Sequence, residues 1–205
     1  MIAAFWMLSM AGGLAPARAA SPAEPVPLTV VLKFEANRSA SPAAMLAMED
    51  EAEKILSPAG IKVDWRMQRD LAEHAEFGRM VEFEMKGRCS IHTFPVLYDE
   101  RGPLATTFSS DGRLLPFGTV ECDRVRESIR RVNAAFAYRM TDAALGRALG
   151  RVMAHEVYHM IAGTKEHTRE GLSRPSLGGS ELLRPGAALE PEAYEEMRNG
   201  LAGPR

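Results

Sequence analysis

Residues 155 to 159, with the sequence His-Glu-Val-Tyr-His, combine side chains that could carry out metal-assisted hydrolysis. In a helix, residues i and i+4 lie on one face, so the rings of His155 and His159 can reach one metal ion, with Glu156 beside it. A catalytic zinc takes neutral imidazole nitrogens, keeps three protein ligands and leaves its fourth position to water. Because a nearby carboxylate can take a proton from that water, the pattern predicts zinc-dependent hydrolysis with Glu156 as the base.

The flanking residues predict that this motif lies on a buried amphipathic helix. Thr141 is a favoured N-cap residue, Asp142 suits the first helical turn and Gly163 is a typical C-cap. The alternative is a chance arrangement of two histidines and a glutamate on a solvated helix, which needs no such surroundings. Apolar residues at helical spacing would bury one side of the helix. They are Leu145, Leu149, Val152, Met153, Val157 and Met160.

A catalytic zinc needs a third protein ligand. We expect His167 to supply it, because it lies eight residues after His159 and a chain that reverses at Gly163 could return to the metal. The alternatives are two carboxylates further along the chain and one upstream thiolate, since zinc accepts all three ligand types. These alternatives are Glu181, Glu170 and Cys122.

The motif at 155–159, followed by a glycine and a further histidine, resembles the zincin metallopeptidases and, more narrowly, their metzincin branch. The usual metzincin has its glycine three residues and its third histidine six residues after the second ligand. Here Gly163 and His167 follow His159 by four and eight residues, and no methionine lies between Met160 and Met197 to form a Met-turn. The resemblance covers the motif helix and its exit, about a tenth of the chain.

This resemblance implies a zincin-like α+β fold, with a small mixed sheet whose edge strand lies over a central active-site helix. It also implies peptide-bond hydrolysis on zinc and an edge strand that receives the substrate as an added strand. Residues Ala105, Thr106, Thr107 and Phe108 have strand character and precede a turn signal at 110–112, so we assign them to substrate binding. An ordinary exposed hairpin is the alternative for this segment.

Hydrophobic patterning predicts the other elements. Strands are expected where apolar or alternating runs occur, and helices where apolar residues recur with a period of 3.6. Arg113 to Phe117 is expected to be a loop or a wall near the cleft. The predicted strands are 28–34, 61–67 and 80–85, and the predicted helices are 42–56, beginning after an N-cap at Ser41, 121–133, a short turn at 180–183 and 191–198.

The N-terminus predicts an exported protein of one domain. Residues 1–19 read as a signal peptide, since an apolar run ends in the small residues of a cleavage site and is shorter than a membrane span. We assign 20–183 to the zincin-like domain and 184–205 to a partly flexible C-terminal tail. With 25 basic and 27 acidic residues, the net charge of −2 gives no case for a nucleic-acid partner. No later segment is apolar enough to span a membrane after signal cleavage.

The two cysteines, Cys89 and Cys122, are expected to form a disulfide, because exported proteins usually pair their cysteines. His74 and His92 are expected at the surface, since neither has a partner at ligand spacing. The sequence therefore predicts a secreted or periplasmic zinc metallopeptidase that acts on peptides or proteins. Two alternatives remain, namely an exported non-catalytic metal-binding or interaction domain and a deformylase-type amide hydrolase that uses Cys122.

Overall fold

The computed structural model describes residues 24–36, 38–91, 102–136 and 140–203, which form an α+β fold. The expected fold class is confirmed: one five-stranded mixed sheet and five helices. The signal peptide and His92 lie outside the described residues. In chain order the elements are β1 (Val26–Phe34), α1 (Pro42–Leu56), β2 (Ile61–Met67), β3 (Met80–Lys86), β4 (Ala105–Ser110), β5 (Arg113–Glu121), α2 (Cys122–Phe136), α3 (Asp142–Ala162), α4 (Gly179–Leu183) and α5 (Pro191–Ala202).

The strands lie in the order β2-β1-β3-β5-β4. Four of them run parallel, and β4 pairs antiparallel with β5 at one edge. The interior strand β1 is mostly apolar and is buried from Leu28 to Leu32, as expected of a strand covered on both faces. In β3 only alternate residues are buried, which matches its alternating sequence. The edge position of β4 leaves its outer side without a paired strand among the described residues.

A tight hairpin joins β4 to β5. Asp111 and Gly112 both have positive φ, 51° and 78°, as a two-residue turn between twisted strands requires. The expectation of a loop at residues 113–117 is wrong, because β5 begins at Arg113. Pro116 is tolerated there because residues 115–117 form a bulge in β5 opposite Phe108, and the pairing with β3 begins only at Phe117, so its missing N–H breaks no ladder bond.

Helices α1 and α3 are in backbone contact through two glycines of α3. A Cβ atom at Gly146 would collide with the backbone carbonyl of Ala44, and one at Gly150 would collide with that of Met48. Residues four apart lie on one helix face, so the two glycines form a flat strip on which α1 rests. The close approach fixes the position of α3 against the rest of the domain.

A buried ion pair joins α1, α3 and α4. The guanidinium of Arg151 donates to Glu51 Oε1 at 2.6 Å, and both side chains are almost completely buried. It also donates to the backbone oxygens of Glu181 (3.2 Å) and Leu182 (2.9 Å) at the end of the short helix α4. Because these bonds satisfy a charge that would be costly to bury alone, Arg151 holds α4 against α3.

Part of the C-terminal segment packs against the end of α3. Helix α5 buries Ala193 and Met197, and Gly200 lies against the backbone carbonyl of Ile161 near the end of α3. The helix predicted over 191–198 extends to Ala202, and its apolar side chains are covered by α3 and the turn at 57–59.

The Cys89–Cys122 disulfide is present, with Cα atoms 4.9 Å apart. It ties the loop after β3 to the first residue of α2 and closes a loop of 33 residues. Disulfides are typical of proteins that fold in oxidising compartments. Within the described ranges, no helix is both long and apolar enough to cross a bilayer.

Candidate metal centre

His155 and His159 lie on successive turns of α3, near its C-terminal end, and both are buried. The helix begins after Thr141, whose hydroxyl accepts a hydrogen bond from the backbone N–H of Ala144, and ends at Gly163. These are the caps that the sequence predicts. The Nε2 atoms of the two histidines are 3.1 Å apart, so both rings present a nitrogen to the same point.

The chain reverses after α3 and brings His167 to the same place. Gly163 adopts the left-handed conformation (φ 66°), and its N–H bonds to the carbonyl of His159. The ring centroid of His167 lies 5.3 Å from that of His155 and 4.7 Å from that of His159. One ligand nitrogen from each ring lies within 4.8 Å of the others, so the three histidines could hold a metal ion.

Backbone carbonyls set which ring nitrogen carries the proton in the two buried histidines. Nδ1 of His155 donates to Leu172 O at 2.6 Å, and Nδ1 of His159 donates to Thr164 O at 2.8 Å. Because a carbonyl oxygen can only accept, each neutral ring has its proton on Nδ1 and a lone pair on Nε2. Carbonyl partners of this kind are the usual outer support of metal-binding histidines.

The two Nε2 lone pairs face each other across 3.1 Å, an unfavourable arrangement unless a cation lies between them. Two nitrogens bound to one tetrahedral zinc at ~2.0–2.1 Å are separated by about 3.3 Å. The observed spacing is close to this value. The residues present therefore fit a metal ion of this kind.

Burial keeps these two histidines neutral. Desolvation lowers the pKa of His155, against the opposing effect of its bond to Leu172 O, and the neighbouring His167 lowers it further. The pKa of His159 is lowered first by burial and then by His155. A neutral imidazole is the form that binds metals, so the folded protein holds both rings ready for ligation near neutral pH.

Glu156 lies next to the three histidines, and an edge-strand residue holds its carboxylate. The hydroxyl of Thr107, in β4, donates to Glu156 Oε2 at 2.6 Å. Burial raises the pKa of Glu156, although the bond from Thr107 and the nearby His159 act in the opposite direction. The carboxylate is thus oriented and its proton affinity is increased, which are the properties of a general base or acid.

The site opens into a cleft between β4 and the segment after α3. One half of the cleft has a volume of about 300 Å³ and the other of about 440 Å³. Both halves are bordered by Pro103, Ala105, His155, Glu156 and Pro175. Of the four residues assigned to substrate binding, three line this cleft: Ala105, Thr106 and Thr107. Phe108 lies outside the lining, opposite the bulge in β5, with 44% of its surface exposed.

Several residues that support the site carry no signal in the sequence. Tyr158 OH donates to Glu196 Oε2 at 2.7 Å, and Glu166 O lies 3.3 Å away, so α5 contacts the segment that carries His167. Thr168 binds the buried Ser173 through side-chain and backbone bonds that close the following loop. These partners, like Thr107 in its bond to Glu156, are distant in sequence or lie in irregular chain, so neither periodicity nor a motif identifies the contacts.

The alternative third ligands lie elsewhere. The carboxylate of Glu181 accepts hydrogen bonds from Gly178 N and Ser180 Oγ, both at 3.0 Å, and is not part of the histidine group. Glu170 is also outside that group. The Cys122 sulfur is bonded to Cys89, so it cannot act as a thiolate ligand. His74 is exposed, as expected.

No protein-family model matches the chain, and no curated protein matches it in sequence. A function can therefore be proposed only from the geometry of the three histidines, Glu156 and the cleft.

Proposed function

We propose that the protein is a zinc-dependent metallopeptidase of zincin type. One observation supports this above all: the Glu156 carboxylate lies beside the three histidines, where Thr107 of the strand bordering the cleft holds it. A site that only stored metal would have no use for an oriented carboxylate next to an accessible cleft. The spacing of the histidine nitrogens and the neutral state of the two buried rings favour a borderline-soft ion such as zinc.

The chemistry can be divided between the ion and the chain. When bound, a divalent ion of this kind acts as a Lewis acid that acidifies water and polarises a carbonyl oxygen. Glu156 would take the proton from the attacking water and later give it to the leaving nitrogen. A raised pKa suits both transfers, because it brings the carboxyl group closer to the working pH. Thr107 would keep the carboxylate aimed at the cleft through its hydroxyl.

The shape of the cleft favours a peptide as substrate. Ala105, Thr106 and Thr107 belong to the edge strand, and its outer backbone groups have no partner strand among the described residues. Such an edge can pair with an extended chain through main-chain hydrogen bonds. An extended polypeptide would then lie with its backbone beside Glu156 and the three histidines.

Export is the second part of the proposal. The Cys89–Cys122 disulfide agrees with an oxidising compartment, and the N-terminal pattern of the sequence predicts secretion. We therefore propose that the enzyme acts in the periplasm or outside the cell.

The test compares metal content and hydrolysis in matched variants. We expect the purified chain to bind one equivalent of zinc and to cleave peptides, and Glu156→Gln to keep the zinc but to lose about 10²–10⁴-fold in kcat. Glu170→Gln, which changes an exposed glutamate on the loop after His167, is the matched control and should behave as the parent. Elemental analysis and a fluorogenic peptide library provide the measurements.

Equal activity in Glu156→Gln and the parent would show that Glu156 is not the base. Full zinc occupancy without cleavage of any peptide by the parent chain would support the alternative of a non-catalytic metal-binding domain.

A further inference from the structure

The cleft beside the three histidines has a cation at each end, and this charge pattern indicates which peptides it selects. Among the described residues that line its two halves, Arg174 and Lys165 are the only lysine or arginine side chains, and Glu156 is the only carboxylate. Arg174 borders the smaller half and Lys165 borders the larger half. Neither half is lined by an acidic residue other than Glu156.

The two cations mark opposite ends of β4. The half with Arg174 is bordered by Gly102 and Leu104, at the start of the strand, whereas Lys165 lies with its Nζ 3.5 Å from the hydroxyl of Ser109, near the end of β4. At ~3.3 Å per residue, the path from Leu104 to Ser109 is about 16 Å, the length of a five-residue extended peptide. Glu156 and His155 line both halves and so lie where the halves meet, whereas His159 and His167 line the half with Lys165.

Arg174 is held in place but remains available to a ligand. Its Nη1 lies 3.6 Å from Glu181 Oε1, and 38% of its side chain is exposed. Glu181 is itself anchored by Gly178 N and Ser180 Oγ, so it orients the guanidinium without enclosing it. A half-exposed ion pair at this distance contributes little, so a substrate carboxylate can compete with Glu181 for the remaining donors of the guanidinium.

We propose that the protein selects acidic peptides, with carboxylate side chains on both sides of the bond that is cleaved. This inference rests on the proposed peptidase function. Arg174 is the specificity-determining residue at one end and Lys165 at the other. Because the net charge of the whole chain is −2, this preference arises from the two cations in the cleft and not from the overall field of the molecule.

Binding and cleavage are both measured with four peptides. One has three glutamates on each side of a central apolar tripeptide, the second has glutamine at all six positions, and the other two have glutamates on one side only. Binding is followed by fluorescence anisotropy on zinc-loaded Glu156→Gln, and cleavage on the parent chain. We expect the six-glutamate peptide to bind about tenfold more tightly than the glutamine peptide and to lose this advantage as salt is raised.

Variants of Arg174 and Lys165 show which side of the peptide each cation recognises. Arg174→Gln should remove the preference for glutamates on one side only, by about threefold to tenfold, and Lys165→Gln should do so on the other side only. Arg184→Gln and Lys62→Gln, which change exposed cations outside this cleft, are the matched controls and should leave both preferences intact. Thermal melting of each variant identifies any that fail to fold, and in that case the peptide comparison on the parent decides.

The outcomes separate this inference from the proposed function. Preferential binding of acidic peptides that depends on Arg174 and Lys165, without cleavage, supports the inference and contradicts the peptidase. Cleavage with no preference for glutamate contradicts the inference alone. An equal loss in the control variants, or an equal effect of each variant on both sides, would also overturn it, because the preference would then be a general charge effect.

Discussion

At the scale of single residues, the site depends on which atom of each histidine faces the metal position. His155 and His159 are identified by their spacing, but the choice of Nε2 as the free nitrogen comes from the carbonyls of Leu172 and Thr164. Both carbonyls belong to irregular chain after α3. A sequence motif can therefore name the ligands, whereas their tautomers are set by contacts that have no sequence signature.

Replacement of His167 tests the third ligand. We expect His167→Ala to lower zinc affinity by at least about 100-fold while the fold is kept, because the ring is exposed and contributes little to the core. His74→Ala, another exposed histidine, should leave the affinity unchanged. Titration against a chromogenic chelator measures both constants. An affinity equal to that of the parent in His167→Ala would exclude this residue as a ligand.

The lowered pKa values of His155 and His159 predict a dependence of stability on pH. The unfolded chain takes up protons on these rings near pH 6.5, whereas the folded metal-free protein does so only at lower pH. The unfolded state thus binds more protons, and the free energy of unfolding falls as the pH drops below about 6.5. Glu156 acts in the opposite direction, since its pKa is raised.

The histidine contribution is isolated by a double variant, His155→Gln with His159→Gln. Between pH 7.5 and 5.5 the metal-free parent should lose stability relative to this variant in urea unfolding. Parallel curves for the two proteins over this range would contradict the lowered pKa values.

At the scale of elements, α3 carries the site and two glycines decide where it lies. Gly146 and Gly150 are four residues apart, and the loss of helix propensity at each is offset by the close contact with α1. The apolar stripe of α3 predicts that one face is buried. It does not identify α1 as the partner, because many helices could cover such a stripe.

Gly146→Ala tests this contact. The added methyl group would meet the backbone of Ala44, which cannot move without shifting α1, so we expect a loss of about 1–3 kcal/mol in the free energy of unfolding. Arg147→Ala, at the adjacent exposed position, should change it by no more than about 0.5 kcal/mol. Chemical denaturation measures both. A stabilised Gly146→Ala would mean that helix propensity outweighs the contact.

The limits of element prediction are clearest in β5. Its first residues, Arg113 to Phe117, include a proline and follow a turn, which favours a loop on local grounds. Pairing with β4 overrides this preference, since Pro116 lies within a bulge of β5 where no N–H donor is needed. Helix α5 extends further than predicted for a related reason, because α3 covers its apolar side chains.

At the scale of the whole molecule, the disulfide links the loop after β3 to the first residue of α2, beside the paired ends of β3 and β5. The double variant Cys89→Ser with Cys122→Ser should lose about 3–4 kcal/mol in the free energy of unfolding, since the closed loop spans 33 residues. Reduction of the parent chain should have the same effect. Zinc content under native conditions should be unchanged, because neither sulfur lies with the three histidines. A fall in zinc content would make Cys122 part of the metal site.

Many features of the site depend on residues that are close together in the sequence, so they could be predicted from the sequence alone. The helix from Thr141 to Gly163, the two histidines with Glu156 on one face, and the disulfide partners follow from spacing, caps and cysteine count, since each depends on near neighbours or on composition. The mixed α+β class follows in the same way, from the alternation of strand and helix patterns along the chain.

The features that depend on contacts between distant segments were decided by the tertiary structure alone. Thr107 and Glu156 are 49 residues apart, and Arg174 and Lys165 reach opposite ends of one cleft because the chain reverses at Gly163 and passes below β4. Periodicity reports which face of an element is buried, but it does not report which residues of another element lie against it. The hydrogen bond that orients Glu156 and the charge pattern of the cleft arise from those pairings, because only the tertiary structure places the sheet edge beside the loop after α3.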